Sequence, residues 1–414
     1  MYKVTTKRLG VGAAGFALLA VLAAGCGKDS GGGTSTAPVV HGCNILPTFG
    51  EVLITGGFTN FAGTQATASA ELYNPTTKAF IQACNMTAAR GEQQAIGFVP
   101  GALKVVSAVA SATFEVIIAG GENSVSHVQS AEIYNFNTGR FTAVKPGLSA
   151  GREDYTAVFD NNGTILFAGG DTSTEEPGGT ADVFNTLTLK FSTTGNLTIA
   201  RAGYGASLVG GASLITGDIL LTGGFTSTSL PVLQTAELFS PTAGTFTATT
   251  GNLVAPREYH SQVTLQDGTV LVAGGDDGSA TLATAEIFTP STQTFAATTG
   301  NMTDSREDMA MTLLNDGTVL LTGGIDDTGT ILDTAEIYNP STGLFTATTG
   351  TMTTPREDHT ATLLSDGTVL ITGGYGSGAA LNTAEIYDPT TGLFTATTGA
   401  MVFPRAQQQA TMLD

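Results

Sequence analysis

Residues 356–374 read REDHTATLLSDGTVLITGG, and this stretch decides the fold. From His359 to Leu364 apolar and polar residues alternate, as in a half-buried strand. Asp366-Gly367 supplies the positive φ of a tight hairpin. Thr368 to Thr372 is a continuous β-branched and aliphatic run, expected of a strand covered on both faces. Gly373-Gly374 then lets the backbone turn where a side chain would clash. Downstream, TAEIYDPTTGLFTATTG predicts a third strand over Thr383 to Tyr387, a turn over Pro389 to Gly392 and an outer strand over Leu393 to Thr397.

The same unit recurs. REDMAMTLLNDGTVLLTGG starts at Arg306 and REYHSQVTLQDGTVLVAGG at Arg257, each followed by its own TAEI segment. Glycine doublets end at Gly57, Gly121, Gly170, Gly224, Gly275, Gly324 and Gly374. An Ala-Glu or Ala-Asp step follows each, at Glu71, Glu132, Asp182, Glu237, Glu286, Glu336 and Glu385. Paired aromatics close every unit, from Tyr73 and Phe80 to Tyr387 and Phe394. No unit can bury both faces of its sheet alone, so neighbours must stack in a ring. The first unit begins at a second strand, Gly50 to Leu53, and the chain ends on a first strand, Arg405 to Asp414. The expected fold is therefore all-β: a seven-bladed propeller with four antiparallel strands per blade, in which the C-terminal strand completes the N-terminal blade.

This pattern resembles the kelch repeat, with its glycine doublet closing strand two and its paired aromatics on strands three and four. The resemblance spans residues from about 50 to the end, although the second aromatic, usually Trp in that family, is always Phe here. It implies a kelch-type propeller over residues 43–414.

The first 25 residues form a basic start (Lys3, Lys7, Arg8) and an apolar run from Val11 to Ala24, as in a secretory leader. The ending Leu22-Ala23-Ala24-Gly25-Cys26 resembles the lipobox of bacterial lipoproteins. That implies an acylated Cys26, a flexible tether and lead-in over residues 26–42, and attachment to the cell envelope, at the outer membrane. Membrane contact is expected through the lipid alone. Cys43 and Cys84 are expected to pair in an oxidising envelope, tying the lead-in to the end of the first blade.

Formal net charge is −19, and loss of Lys3, Lys7 and Arg8 with the leader makes it three units more negative. Nucleic acid and anionic membrane surfaces, which need clustered Lys and Arg, are excluded as partners. Cations, basic proteins and neutral sugars stay open, so the expected partner is a protein or a glycan, bound by a monomeric chain. The loops after the glycine doublets vary most and share a face with the strand 4–1 connections. They carry Phe58, Phe61, Glu122, His127, Asp171, Glu175, Glu176, Asp276, Asp277, Asp326, Asp327 and Tyr375, the candidate binding face. Asp276, Asp277, Asp326 and Asp327 offer oxygens of the kind calcium takes, but without the spacing of a dedicated loop, so neither metal nor cofactor is assigned. Long strand 1–2 connections, from Phe98 to Thr113 and from Leu208 to Gly217, mark the opposite face as a second possible site.

An arginine precedes every first strand, and its repetition reads as structure: a pair with the recurring Glu or Asp between neighbouring blades. The four histidines, His41, His127, His260 and His359, lie on different elements, and no catalytic set emerges. The expectation is a non-catalytic scaffold, with a carbohydrate-active enzyme or a purely structural envelope component as alternatives.

Overall fold

The computed structural model describes residues 45–101, 114–160, 162–172, 176–209, 217–227 and 231–413. The leader, Cys26, the tether, Cys43, Glu175 and most of the two long strand 1–2 connections lie outside them. The described residues contain seven four-stranded antiparallel sheets, all-β as expected.

Blade 7 illustrates the unit, with strands Thr360–Leu363, Val369–Thr372, Ala384–Asp388 and Leu393–Ala396. Its second strand is wholly buried and its outer strand mostly exposed, following the aliphatic and threonine-rich compositions of the two. Blade 1 is built from both ends of the chain. Glu51–Thr55 pairs on one side with Ala70–Asn74 and on the other with the C-terminal strand, Gln409–Leu413. That strand packs beside the innermost strands of blades 2 and 7, which closes the ring.

The core lies between blades. Seven hydrophobic clusters of the described residues each join two neighbours. Alternate residues of a second strand serve opposite neighbours: Leu271 and Ala273 face blade 6, and Val270 and Val272 face blade 4. The marker aromatics sit in register as cross-strand pairs, such as Tyr387 opposite Phe394 with ring centroids 4.8 Å apart. Each blade is thus half of two cores and the whole of none.

Cys84 is buried and disulfide-bonded.

Candidate functional site at the ring mouth

Every chain segment leading into a blade begins with arginine, and four consecutive positions there have four separate tasks. The arginine itself is fully buried in all seven blades. Arg356 shows the pattern: it donates to the carbonyls of Gly373 and Thr383, to Thr383 Oγ1, and to Glu385 Oε1 at 2.8 Å. Glu385 also accepts from the backbone amides of Thr353 and Thr354. The carboxylate partner belongs to the blade the arginine enters, which corrects the expected pairing between blades. The link to the preceding blade is made by backbone instead: Gly324 N–H donates to the Arg356 carbonyl at 2.9 Å. Equivalent glycine-to-arginine bonds recur at all seven junctions. Gly324 can serve only because φ is +94° and a Cβ would lie 2.4 Å from the Glu307 carbonyl.

The next residue forms a β-bridge with the residue after its own blade's glycine doublet. The pairs run from Gly91 with Glu122 to Ala406 with Phe58, once in each blade. These bridges stitch every strand 2–3 loop to the adjoining strand 4–1 connection, so the two share one face.

The third residue points to function. Glu92, Asp154, Gly203, Tyr259, Asp308, Asp358 and Gln407 all adopt left-handed backbone, with φ between 49° and 59°. For six non-glycine residues this costs about 1 kcal/mol or more each. Among the described residues, six amide-to-carbonyl bonds run from one such residue to the next around the axis, for example Asp358 to Asp308 at 3.0 Å and Gln407 to Asp358 at 3.0 Å. The side chains line a mouth of about 270 Å³. Burial, then Asp358, Glu307, Glu357 and Asp154, pushes the Asp308 carboxyl well above its usual range. Burial, then Asp154 and Glu153, does the same to Glu92. Tyr259 donates to Asp154 Oδ2 at 3.2 Å.

The fourth residue reaches back to the end of the preceding blade's second strand. Tyr155 donates to the Ala119 carbonyl, Gln408 to the Thr372 carbonyl, and His260 and His359 meet Thr222 and Thr322 Oγ1 at 2.8 Å. The two histidines are packing elements. Burial first, then Arg356 and Arg306, lowers His359 to about 3.

The expected binding residues divide. Phe61 is exposed (47%), edge-on to Tyr375 at 5.3 Å. Phe58 and Tyr375 depart from expectation: both are buried, Phe58 with its ring packed over Gly91, so they support the loops and present no surface. Glu176 is exposed and Asp171 partly so. Asp276, Asp277 and Asp326 use carboxylate oxygens to cap loop amides, at Gly278, at Ser279 and Ala280, and at Thr328 and Thr330. Asp327 is exposed. The group of three ligand-bearing side chains that converges among the described residues lies elsewhere: Glu122 and His127 with Glu153. Burial, then Asp154 and Glu122, raises the Glu153 carboxyl to about 10.

Sequence reading passed over the third lead-in position, because the Arg-Glu-Asp triplets looked uniformly structural. The signal was present in its variation: Glu, Asp, Gly, Tyr, Asp, Asp and Gln behind an arginine that never varies.

The profile of the Kelch motif matches residues 359–397, which is blade 7. A comparison with curated proteins finds no match. With that motif matched in one blade and its markers, register and buried arginine repeated in the other six, the described residues form a seven-bladed β-propeller whose repeats are similar to the Kelch motif.

Proposed function

We propose that this propeller is a non-catalytic binding scaffold, tethered to the cell envelope through an acylated Cys26, whose acidic loop face grips a basic segment of a partner protein. Kelch propellers generally bind proteins. The observation that carries this reading is the segregation of charge at the mouth. All seven arginines of the lead-in segments are buried against carboxylates of their own blades. Around the opening stand Glu92, Asp154, Asp308 and Asp358, and beside them Glu153, Glu258, Glu307 and Glu357. Blades 1 and 4 carry Ala406-Gln407 and Ala202-Gly203 at those positions, so the carboxyls are lopsided, and a basic segment entering the mouth would favour release of the protons that burial and crowding keep on Glu92, Asp308 and Glu153. A lopsided field gives an elongated cationic ligand a preferred orientation. A glycan is the second reading, favoured by the exposed ring of Phe61, which the buried Tyr375 backs edge-on and on which a sugar can stack.

The test is affinity capture from envelope extracts by the parent chain and by Asp154→Asn/Asp308→Asn/Asp358→Asn. A basic protein held by the parent, released by salt and missed by the variant supports the reading. Equal capture by both moves recognition off the mouth.

A further inference from the structure

One blade junction departs from the sevenfold pattern in a way that makes chemistry. Glu122 follows the glycine doublet of blade 2 and bridges, through its backbone, both Gly91 and His127. Glu153 follows the arginine leading into blade 3 and pairs with Asp171. One ligand atom from each of Glu122, His127 and Glu153 lies within 4.8 Å of the other two. His127 Nε2 faces Glu153 Oε1 at 3.1 Å, with the side chains only 8% and 17% exposed. Zinc holds imidazole nitrogen and carboxylate oxygen at about 2.0–2.2 Å, so two ligands of a tetrahedral ion stand roughly 3.3 Å apart. The observed pair is within a few tenths of an ångström of that separation.

Two independent observations point to a ligand. His127 Nδ1 is buried with no hydrogen-bond partner among the described residues, whereas buried polar atoms are ordinarily satisfied. The adjacent arginines do not answer the charge, since Arg90 and Arg152 are held by Glu132 and Asp182. Moreover, the histidine is unique in its place. In four other blades the residue bridged to the one after the glycine doublet is Ala66, Pro177, Thr281 or Ile331, none of which binds metal readily. The scaffold needs no histidine there.

We propose that Glu122, His127 and Glu153 bind one divalent cation of the zinc class on the rim between blades 2 and 3, leaving a coordination position for water or for a group from a bound molecule. Imidazole in the set selects against calcium and magnesium, which prefer all-oxygen shells. This inference shares Glu153 with the acidic mouth, but its readout, metal affinity, is separate from capture of a basic partner.

The experiment is titration calorimetry of the full chain, stripped with EDTA, against ZnCl2, CaCl2 and MgCl2. Cobalt(II) absorption serves as a separate report of nitrogen coordination. The expected result is one zinc site per chain, with much weaker calcium and magnesium binding. His127→Ala and Glu153→Gln should each lose at least about tenfold in zinc affinity. Asp276→Asn/Asp326→Asn, in other blades, should bind as the parent does. Circular dichroism confirms that each variant is folded, and Glu122→Gln, half-buried like the other two ligands, provides a milder substitution. Absence of zinc binding by the parent, binding unchanged in His127→Ala, or a preference for calcium would each overturn the proposal.

Discussion

Replacing Arg356 by Met removes the guanidinium while keeping most of the stem volume, and so isolates the polar role of one blade lock. The side chain is fully buried and makes four hydrogen bonds, two of them to the Gly373 and Thr383 carbonyls. Glu385 would retain its amide donors from Thr353 and Thr354 but would lose its counter-charge in a buried place. Breaking a buried pair from one side costs about 3–5 kcal/mol. Pairing it with Glu385→Gln removes the orphaned charge. What remains is the loss of donors to buried carbonyls, worth about 1–3 kcal/mol. The double variant should therefore be more stable than Arg356→Met alone by roughly 2 kcal/mol. Urea unfolding followed by far-UV circular dichroism and tyrosine fluorescence measures the parent, the two single variants and the double variant. A cost below about 1 kcal/mol for Arg356→Met, or a double variant as unstable as the two single costs summed, refutes the lock.

Glycine at the blade junction should matter more than glycine at a loop tip. Gly374→Ala meets the Glu357 carbonyl at 2.4 Å, whereas Gly378→Ala, also left-handed, meets nothing within 4 Å. Thermal melts should show Gly378→Ala losing about 1–2 kcal/mol and Gly374→Ala clearly more. Asp308 has a folded pKa above its unfolded one, so the folded state holds a proton the unfolded chain has released. Its contribution to stability consequently declines as pH rises from about 4 toward the raised value. Asp308→Asn should flatten that decline and raise the melting temperature at about pH 8. His359 works in the opposite direction. Lowered to about 3, it favours the fold when neutral, and that stability is lost as pH falls from 6.5 toward 3. His359→Gln, which borrows the residue of Gln408 and Gln93 at the same position, should reduce acid sensitivity in the same melts. Deleting Gln409–Leu413 would leave one edge of Glu51–Thr55 unpaired, and size-exclusion chromatography should show larger species than the parent forms.

The propeller was legible because each marker states a local physical need in seven copies. Doublets such as Gly323-Gly324 mark left-handed turns tight against a neighbour's carbonyl, and aromatic pairs such as Tyr338 and Phe345 mark strand register. Glu51–Thr55 and Gln409–Leu413 each matched only part of a unit, which revealed the closure. The direction of the arginine pairing was harder to read, because strand three lies equally plausibly beside either lead-in until the sheet is folded. The mouth was obscured for a different reason. Asp154, Asp308 and Asp358 follow a glutamate in a repeated triplet, and repetition suggests packing, yet two adjacent residues of a bridge point in different directions. Glu153 was hidden in the same way: its special character comes from His127, which is close in space and in a separate loop.

The most direct test of the account is binding of a fluorescent oligolysine peptide to the full chain by anisotropy, at low and high ionic strength. The comparison protein is Asp154→Asn/Asp308→Asn/Asp358→Asn. The account predicts saturable binding by the parent that weakens steeply with added salt, and a large loss in the variant under the same conditions. Equal binding by the two proteins, or binding by the parent that ignores salt, would contradict the claim that the mouth of this propeller recognises a basic partner.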